Sequence, residues 1–394
     1  MLIRRLHVGF IAFTLLAGCG DDSLDGGAGG SGGEAIGGAM SGGGGEGEGG
    51  THQGPSQPHP CAAAIEEGQL LAPGESIDFA PEIELWMTMD ISPSGAIYVL
   101  AYSGLWRKPT TSDTWEKLTE EVGFLPDHTF LATLVAYDDE HVYWNQGGTA
   151  RVWTPEGVSD HFPDNQTGLL DILVINPDDV WAVGYNNTLL HDDGGEVTSV
   201  DLLSTIEPQP ENAGLQLWKI LDVDGTLAVL GVGDVDLGAP TLSVVGILGV
   251  LRDGQWSGEI FDTSPGYGFV DFGAATCGGN IAIGGDYALM GHVTLDNQFT
   301  YLGGGTLAQD LLIANTVETC GGTTFIGVGV PGGPSLLAVV GDDPAEIVSY
   351  DDQVTGTLSD GACYNGVLYY MDTDGQVPAI RRYDRAPGES RIRK

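Results

Sequence analysis

One unit recurs along this chain and restricts its fold more than any other feature: an apolar strand, a tight turn rich in Asn, Asp and Gly, then a second apolar strand often ending in Gly. Its clearest copy is Leu170-Asp171-Ile172-Leu173-Val174-Ile175, then Asn176-Pro177-Asp178-Asp179, then Val180-Trp181-Ala182-Val183-Gly184. The first residue of the second strand recurs at Ile97, Val142, Val180, Leu227, Ile281, Thr324 and Val367. The intervals are 45, 38, 47, 54, 43 and 43 residues, the period of a four-stranded propeller blade. Three cysteines fix the register independently. Cys277, Cys320 and Cys363 each lie four residues before that position and 43 residues apart.

After the Val180 strand the chain turns at Asn186-Asn187, returns along Thr188-Leu189-Leu190-His191, turns again at Asp192-Asp193-Gly194-Gly195 and continues from Val197 to Leu202. These are the turn residues that antiparallel hairpins require. Seven copies imply an all-β fold: a seven-bladed β-propeller of four-stranded antiparallel blades over residues 61–386, followed by a basic tail, 387–394. The last copy runs out of chain after its third strand, near Ala379 to Tyr383, and an open outer edge invites aggregation. The strand-like Gly74-Glu75-Ser76-Ile77-Asp78-Phe79 is therefore expected to close the ring as an N-terminal strand. The 54-residue interval places an insertion between Gly231 and Gly246, the expected specificity loop.

At the N-terminus, Arg4 and Arg5 precede an apolar run from Leu6 to Leu16 and then small residues up to Cys19, the three regions of a secretory signal. The run is too short to span a bilayer stably. Leu16, Ala17, Gly18 and Cys19 together resemble the bacterial lipobox. That resemblance implies cleavage before Cys19, diacylation of its sulfur and acylation of the new amine, so residues 1–19 are expected to be a signal peptide and Cys19 the lipidation site. Several acyl chains anchor firmly, where one holds marginally at about 0.8 kcal/mol per buried methylene. Gly20 follows Cys19, in place of the aspartate that often retains lipoproteins on the inner membrane, so the resemblance favours the outer membrane. Residues 20–60 are dominated by glycine and lack core-forming side chains; such a segment is expected to be a disordered tether with a root-mean-square span of about 35 Å. His52, His59 and Cys61 have no fourth ligand beside them and read as linker residues, not a metal site.

Fourteen basic against 55 acidic residues give a formal charge of −41. Between the signal and the C-terminal stretch the only cations are Arg107, Lys108, Lys117, Arg151, Lys219 and Arg252. A surface this acidic repels phosphate backbones and excludes nucleic acid as a partner. It suits a salty medium, cations such as calcium, or a basic partner. Asp222-Val223-Asp224-Gly225 and Asp372-Thr373-Asp374-Gly375 open like calcium loops but lack the closing bidentate Glu, so they read as turns and no cofactor is expected.

The blade with Asp179-Val180-Trp181-Ala182-Val183-Gly184 resembles the repeats of bacterial Asp-box propellers, a group with sialidase-like domains and photosystem II assembly-factor-like propellers, many of them lipoproteins of myxobacterial type with Gly-rich stalks. Degenerate echoes of the box stand at Ser112-Asp113-Thr114-Trp115 and Arg252-Asp253-Gly254-Gln255-Trp256, and no copy keeps all four box residues. The resemblance implies the fold and says little about activity. With Cys19 reserved for lipid, Cys61, Cys277, Cys320 and Cys363 form an even set that suggests two disulfides in an oxidising compartment. The repeat favours Cys277–Cys320 with Cys61–Cys363; free thiols and the other pairings stay open. Sialidase chemistry needs an arginine cluster that the repeat register does not supply. The pairs Asp138-Asp139, Asp178-Asp179, Asp192-Asp193 and Asp342-Asp343 read as hairpin turns, and the tryptophans as blade packing before a carbohydrate face. The expectation is a non-enzymatic, membrane-anchored envelope lipoprotein whose propeller binds or scaffolds a protein or glycan. The alternative is an extracytoplasmic hydrolase or lyase using the axial cavity.

Overall fold

Each copy of the repeat folds into a sheet of four antiparallel strands. The computed structural model describes residues 61–384 apart from 66–67, 84–85, 121–131, 147, 163–167, 208–214, 236–242, 264–269, 286–289, 303–312, 330–335, 341–346, 352–357 and 373–377. These residues form seven four-stranded sheets, six of them from strands consecutive in the chain: blade 1 (86–117), blade 2 (133–160), blade 3 (169–199), blade 4 (216–261), blade 5 (270–301) and blade 6 (313–351). The last sheet is composite. It joins Leu358–Tyr364, Val367–Asp372 and Ala379–Arg382 to the distant Ser76–Asp78, with Ser76 opposite Arg381, Ile77 opposite Ile380 and Asp78 opposite Ala379. The expectation of seven blades thus gives way to six complete in chain order and a closing sheet made from both ends of the domain. The innermost strands pack side by side in sequence, and that of the closing sheet packs against Trp86–Ile91 of blade 1.

Local chemistry explains the strands. The second strand of a blade lies inside its sheet and between two neighbouring sheets, so it is apolar on both faces; Ile97–Ala101 is buried along its whole length. Outermost strands meet water, and Gly157–Asp160 is exposed throughout. The hairpin tips need backbone with positive φ, which Asn186 and Asn187 supply at 56° and 59°. In blade 3, Asp179 Oδ1 accepts hydrogen bonds from Trp181 Nε1 (3.0 Å) and shares another with His191 Nε2 (2.9 Å), while the Trp181 and His191 rings stack 3.8 Å apart. This ties the second and third strands together across the register pair Trp181–His191.

The segment from Cys61 to Phe79 crosses the hairpins that follow the innermost strands. The Cys61 carbonyl approaches Gly322 of blade 6, Ile65 N donates to Asn365 O of the closing sheet (3.0 Å), and Leu70 reaches Gly95 of blade 1. Cys61 is bonded to Cys277 in blade 5 and Cys320 to Cys363. The expected pairing Cys277–Cys320 with Cys61–Cys363 is therefore corrected. The reason is reach: fourteen residues of chain separate Cys61 from the closing strand at Ser76, and at up to about 3.5 Å per residue the arm begins two sheets further round the ring. Cys320 and Cys363, at the ends of adjacent innermost strands, are left facing each other with Cα atoms 5.3 Å apart.

The insertion between Gly231 and Gly246 is also corrected. It is not all loop: it lengthens two strands, Thr226–Val235 and Ser243–Arg252, which stay paired out to Val235 opposite Ser243. Residues 236–242 lie outside the described residues.

Phe79, just past the closing strand, is buried beside Ile83, Met371 and Ile380, with its ring 5.7 Å from Trp115. Phe79→Ala is expected to cost about 3–5 kcal/mol, read as a lower denaturant midpoint. A loss within error would mean that the closing segment is not part of the cooperative unit. Among the described residues, no helix is long and apolar enough to cross a membrane.

Candidate functional site

The innermost strands carry a shared irregularity. In blades 1, 3, 4, 5 and 6 the pairing with the second strand slips by one residue just before Thr88, Asp171, Lys219, Phe272 and Thr316, and the closing sheet slips between Leu358 and Gly361. A bulge bends its strand and re-aims the next side chain. Polar residues gather at this level and two residues beyond it: Thr88 and Asp90, Asp171, Lys219, Thr316 and Glu318, and Asp360. Asp90, Asp171, Lys219, Glu318 and Asp360 stand on five different innermost strands and lie close enough to act on one another electrostatically.

Three of the carboxylates hold the ring together. Asp360 Oδ2 accepts from Met89 N (2.9 Å) and Thr88 Oγ1 (2.6 Å), Asp90 Oδ2 from Ala136 N (2.7 Å), and Asp171 Oδ2 from Ile220 N (3.0 Å). Each reaches the innermost strand of the next sheet and satisfies a backbone donor on it. Asp171 Oδ1 also accepts from Thr133 Oγ1 (2.7 Å) and Lys219 Nζ (3.1 Å). Glu318 accepts no hydrogen bond among the described residues.

Burial and mutual repulsion make Asp90, Asp360 and Glu318 hold their protons. Asp90 is pushed up to about 7, first by burial and then by Asp360, against the two backbone N–H groups that favour its ionised form. Glu318 is pushed up to about 8 by burial and by Asp360, Asp90 and Asp171, with Lys219 opposing. Asp360 is raised by burial in spite of its Thr88 and Met89 donors. Burial pulls Lys219 down, but Asp171 and Glu318 outweigh it and the ammonium is held above its ordinary value.

The lipobox residues Leu16, Ala17, Gly18 and Cys19 lie outside the described residues, as does Asp342-Asp343. The remaining acidic pairs are turn and clamp residues. Asp138 Oδ1 accepts from Glu140 N and His141 N, Asp139 Oδ1 from Ser92 Oγ and Ser94 Oγ, and Asp192 and Asp193 from Gly194 N and Gly195 N. Asp222 accepts from Gly225 N in a tight turn with Asp224 at φ 52°, and Asp372 is buried against Arg381 Nε at 2.5 Å. No group of three or more His, Cys, Asp or Glu side chains among the described residues is arranged to hold a metal ion. Trp106, Trp144, Trp153 and Trp181 are buried between sheets.

Sequence reasoning missed the axial group. The available signal was a single acid inside an apolar strand, as in Leu170-Asp171-Ile172 or Met89-Asp90-Ile91, where a water-facing position is not expected.

No family model and no curated protein matches this chain. Among solved structures it is similar to a catalytically inactive virginiamycin B lyase from Staphylococcus aureus with quinupristin (11% identity, TM-score 0.55, 78% of this chain and 98% of that one). It is also similar to YCF48 bound to D1 peptide (11%, 0.50, 84% and 100%) and to a chain of the mitotic checkpoint complex (12%, 0.54, 82% and 99%). At these identities the likeness establishes the propeller fold and nothing finer.

Proposed function

We propose that this chain is an envelope lipoprotein, anchored through Cys19, whose propeller is a binding or scaffolding module for a protein or glycan partner. The observation that carries the non-catalytic part is the use of the axial carboxylates: Asp360, Asp90 and Asp171 each clamp the neighbouring innermost strand. Carboxylates committed to backbone donors are poor acid–base partners for a substrate. The fold supports the reading by precedent only, since a similar propeller is solved with a peptide bound. The lipid anchor, the outer-membrane address and the tether rest on the sequence of residues 1–60 alone.

One observation favours the rival hydrolase or lyase: Glu318 is pushed up to about 8 and accepts no hydrogen bond among the described residues, as suits a general acid. Metabolic labelling with palmitate tests the anchor, and the label is expected to vanish in Cys19→Ser. Crosslinking of the tethered full chain in its own envelope tests the module. A recurrent partner captured saturably supports it; turnover in a glycan and ester panel that Glu318→Gln abolishes, with no partner captured, would establish the rival.

A further inference from the structure

The two disulfides differ in how a thiol can reach them. Cys320 and Cys363 are bridged inside an apolar cluster with Phe325, Leu368, Tyr370 and Tyr383, and Cys320 is only 2% exposed. An attacking thiolate therefore reaches the Cys320 sulfur only after local opening. Attack at Cys363 would expel Cys320 as a thiolate into apolar surroundings, which raise a thiol's pKa and make it a poor leaving group. Cys61 and Cys277 are both partly exposed, and Cys277 stands in the turn that joins Val270–Ala275 to Asn280–Gly285. Whichever of these two is attacked, the other leaves as a solvated thiolate.

The arm has its own holds beyond the bridge. Ile65 N and Gln69 Nε2 donate to Asn365 O (3.0 and 3.1 Å), Leu70 N donates to Tyr369 Oη (3.0 Å) and Arg382 Nη1 to Leu71 O (2.9 Å), before Ser76–Asp78 pairs with the last strand. Ahead of Ile65, Ala62 and Ala64 lie against Gly366, where a Cβ would come within 2.6 Å of the Ala64 Cα. We propose that Cys61–Cys277 is a redox-active site whose substrate is an external dithiol, and that its opening releases residues 61–64 from the hairpins while Cys320–Cys363 and the ring stay closed. One thiolate of the dithiol attacks the Cys61 sulfur, the Cys61–Cys277 bond breaks, and Cys277 leaves as a thiolate that takes up a proton. The second thiol loses its proton and attacks the first, so the reductant becomes a disulfide and Cys61 leaves, to be protonated in turn. Two electrons and two protons thus pass from dithiol to cystine. The selectivity is kinetic: in the folded ring, access and leaving group decide which bridge opens first, whatever each loop contributes against the unfolded chain. The site is independent of what the propeller binds.

The test is limited reduction of the folded full chain with dithiothreitol at about pH 8, stopped at intervals by alkylation, with the labelled cysteines mapped by mass spectrometry. Cys61 and Cys277 are expected to label together, at least about tenfold faster than Cys320 and Cys363. The difference is expected to vanish in concentrated guanidinium chloride, where both bridges are exposed. In the protein with only the first bridge opened, amide exchange at Ile65 is expected to rise at least about tenfold, while Phe79, whose N–H donates to Pro378 O (3.2 Å), keeps its protection. Equal labelling of the two pairs in the folded chain, or Cys320–Cys363 opening first, would overturn the proposal. So would Ile65 exchange that does not move once Cys61 and Cys277 are labelled, or unfolding of the whole ring when the first bridge opens.

Discussion

Glu318→Gln is expected to raise the unfolding midpoint at about pH 8 by roughly 5 °C, and to leave it nearly unchanged at about pH 4. The sign follows from the direction of the shift. Glu318 has an ordinary value of 4.5 and is pushed up to about 8 in the folded protein, so the folded state binds this proton more tightly than the unfolded chain. Its stabilising contribution is complete below 4.5 and is lost as pH rises through 8. Glutamine cannot ionise and so escapes that loss. Because Glu318 is only partly buried, the shift is discounted to about 2 kcal/mol. Asp90, pushed up to about 7, acts in the same sense, so the wild-type midpoint should fall between about pH 4 and pH 8. A variant midpoint at pH 8 equal to or below the wild-type value would show that Glu318 is not held protonated by its surroundings.

Replacing Cys61 and Cys277 together with alanine is expected to be the most destabilising change in the arm. The bridge closes 216 residues, against 43 for Cys320–Cys363. In the chain-entropy model the longer loop is worth about 5 kcal/mol and the shorter about 4, with native strain reducing what is realised to about 2–4. Denaturant midpoints of the two double-alanine variants, measured without reductant, order the effects. If removing the 43-residue bridge costs more, the arm contributes little to the folded ring. Loss of Cys61–Cys277 should also loosen the segment between Cys61 and Ser76, visible as faster amide exchange at Ile65 and Leu70, whose N–H groups bond to Asn365 O and Tyr369 Oη.

The period and the hairpins were legible in the sequence because they are local. Asn186-Asn187 encodes its own turn, and Val180–Gly184 is apolar because a strand between two sheets has no wet face. The closing strand was also readable, since an open edge at Ala379–Arg382 demands a partner and Ser76–Asp78 was unused. The disulfide pairing was not. Three cysteines at equivalent positions are indistinguishable by spacing, and the choice among them was made by the length of the arm. Nor did spacing show that Thr226–Val235 and Ser243–Arg252 would stay paired beyond the sheet, because a long interval between repeats says only that residues are inserted and not whether they continue the strands. The axial acids were hidden for a different reason. A bulge changes which face a residue occupies, so the alternation that assigns Asp171 to a strand does not say that it points at Ile220 of the next blade.

The position of Cys61 has a mechanical consequence. The described chain begins at Cys61, and the side chain of that residue is covalently fixed to blade 5. A pull applied from that end passes into Cys277 before it reaches the closing strand. Ser76–Asp78, held to its neighbour by only three residue pairs, lies outside the load path. The bridge therefore works as a strain relief, as a clamp on a cable spares the connector behind it, and the short closing strand is shielded from a pull on the arm.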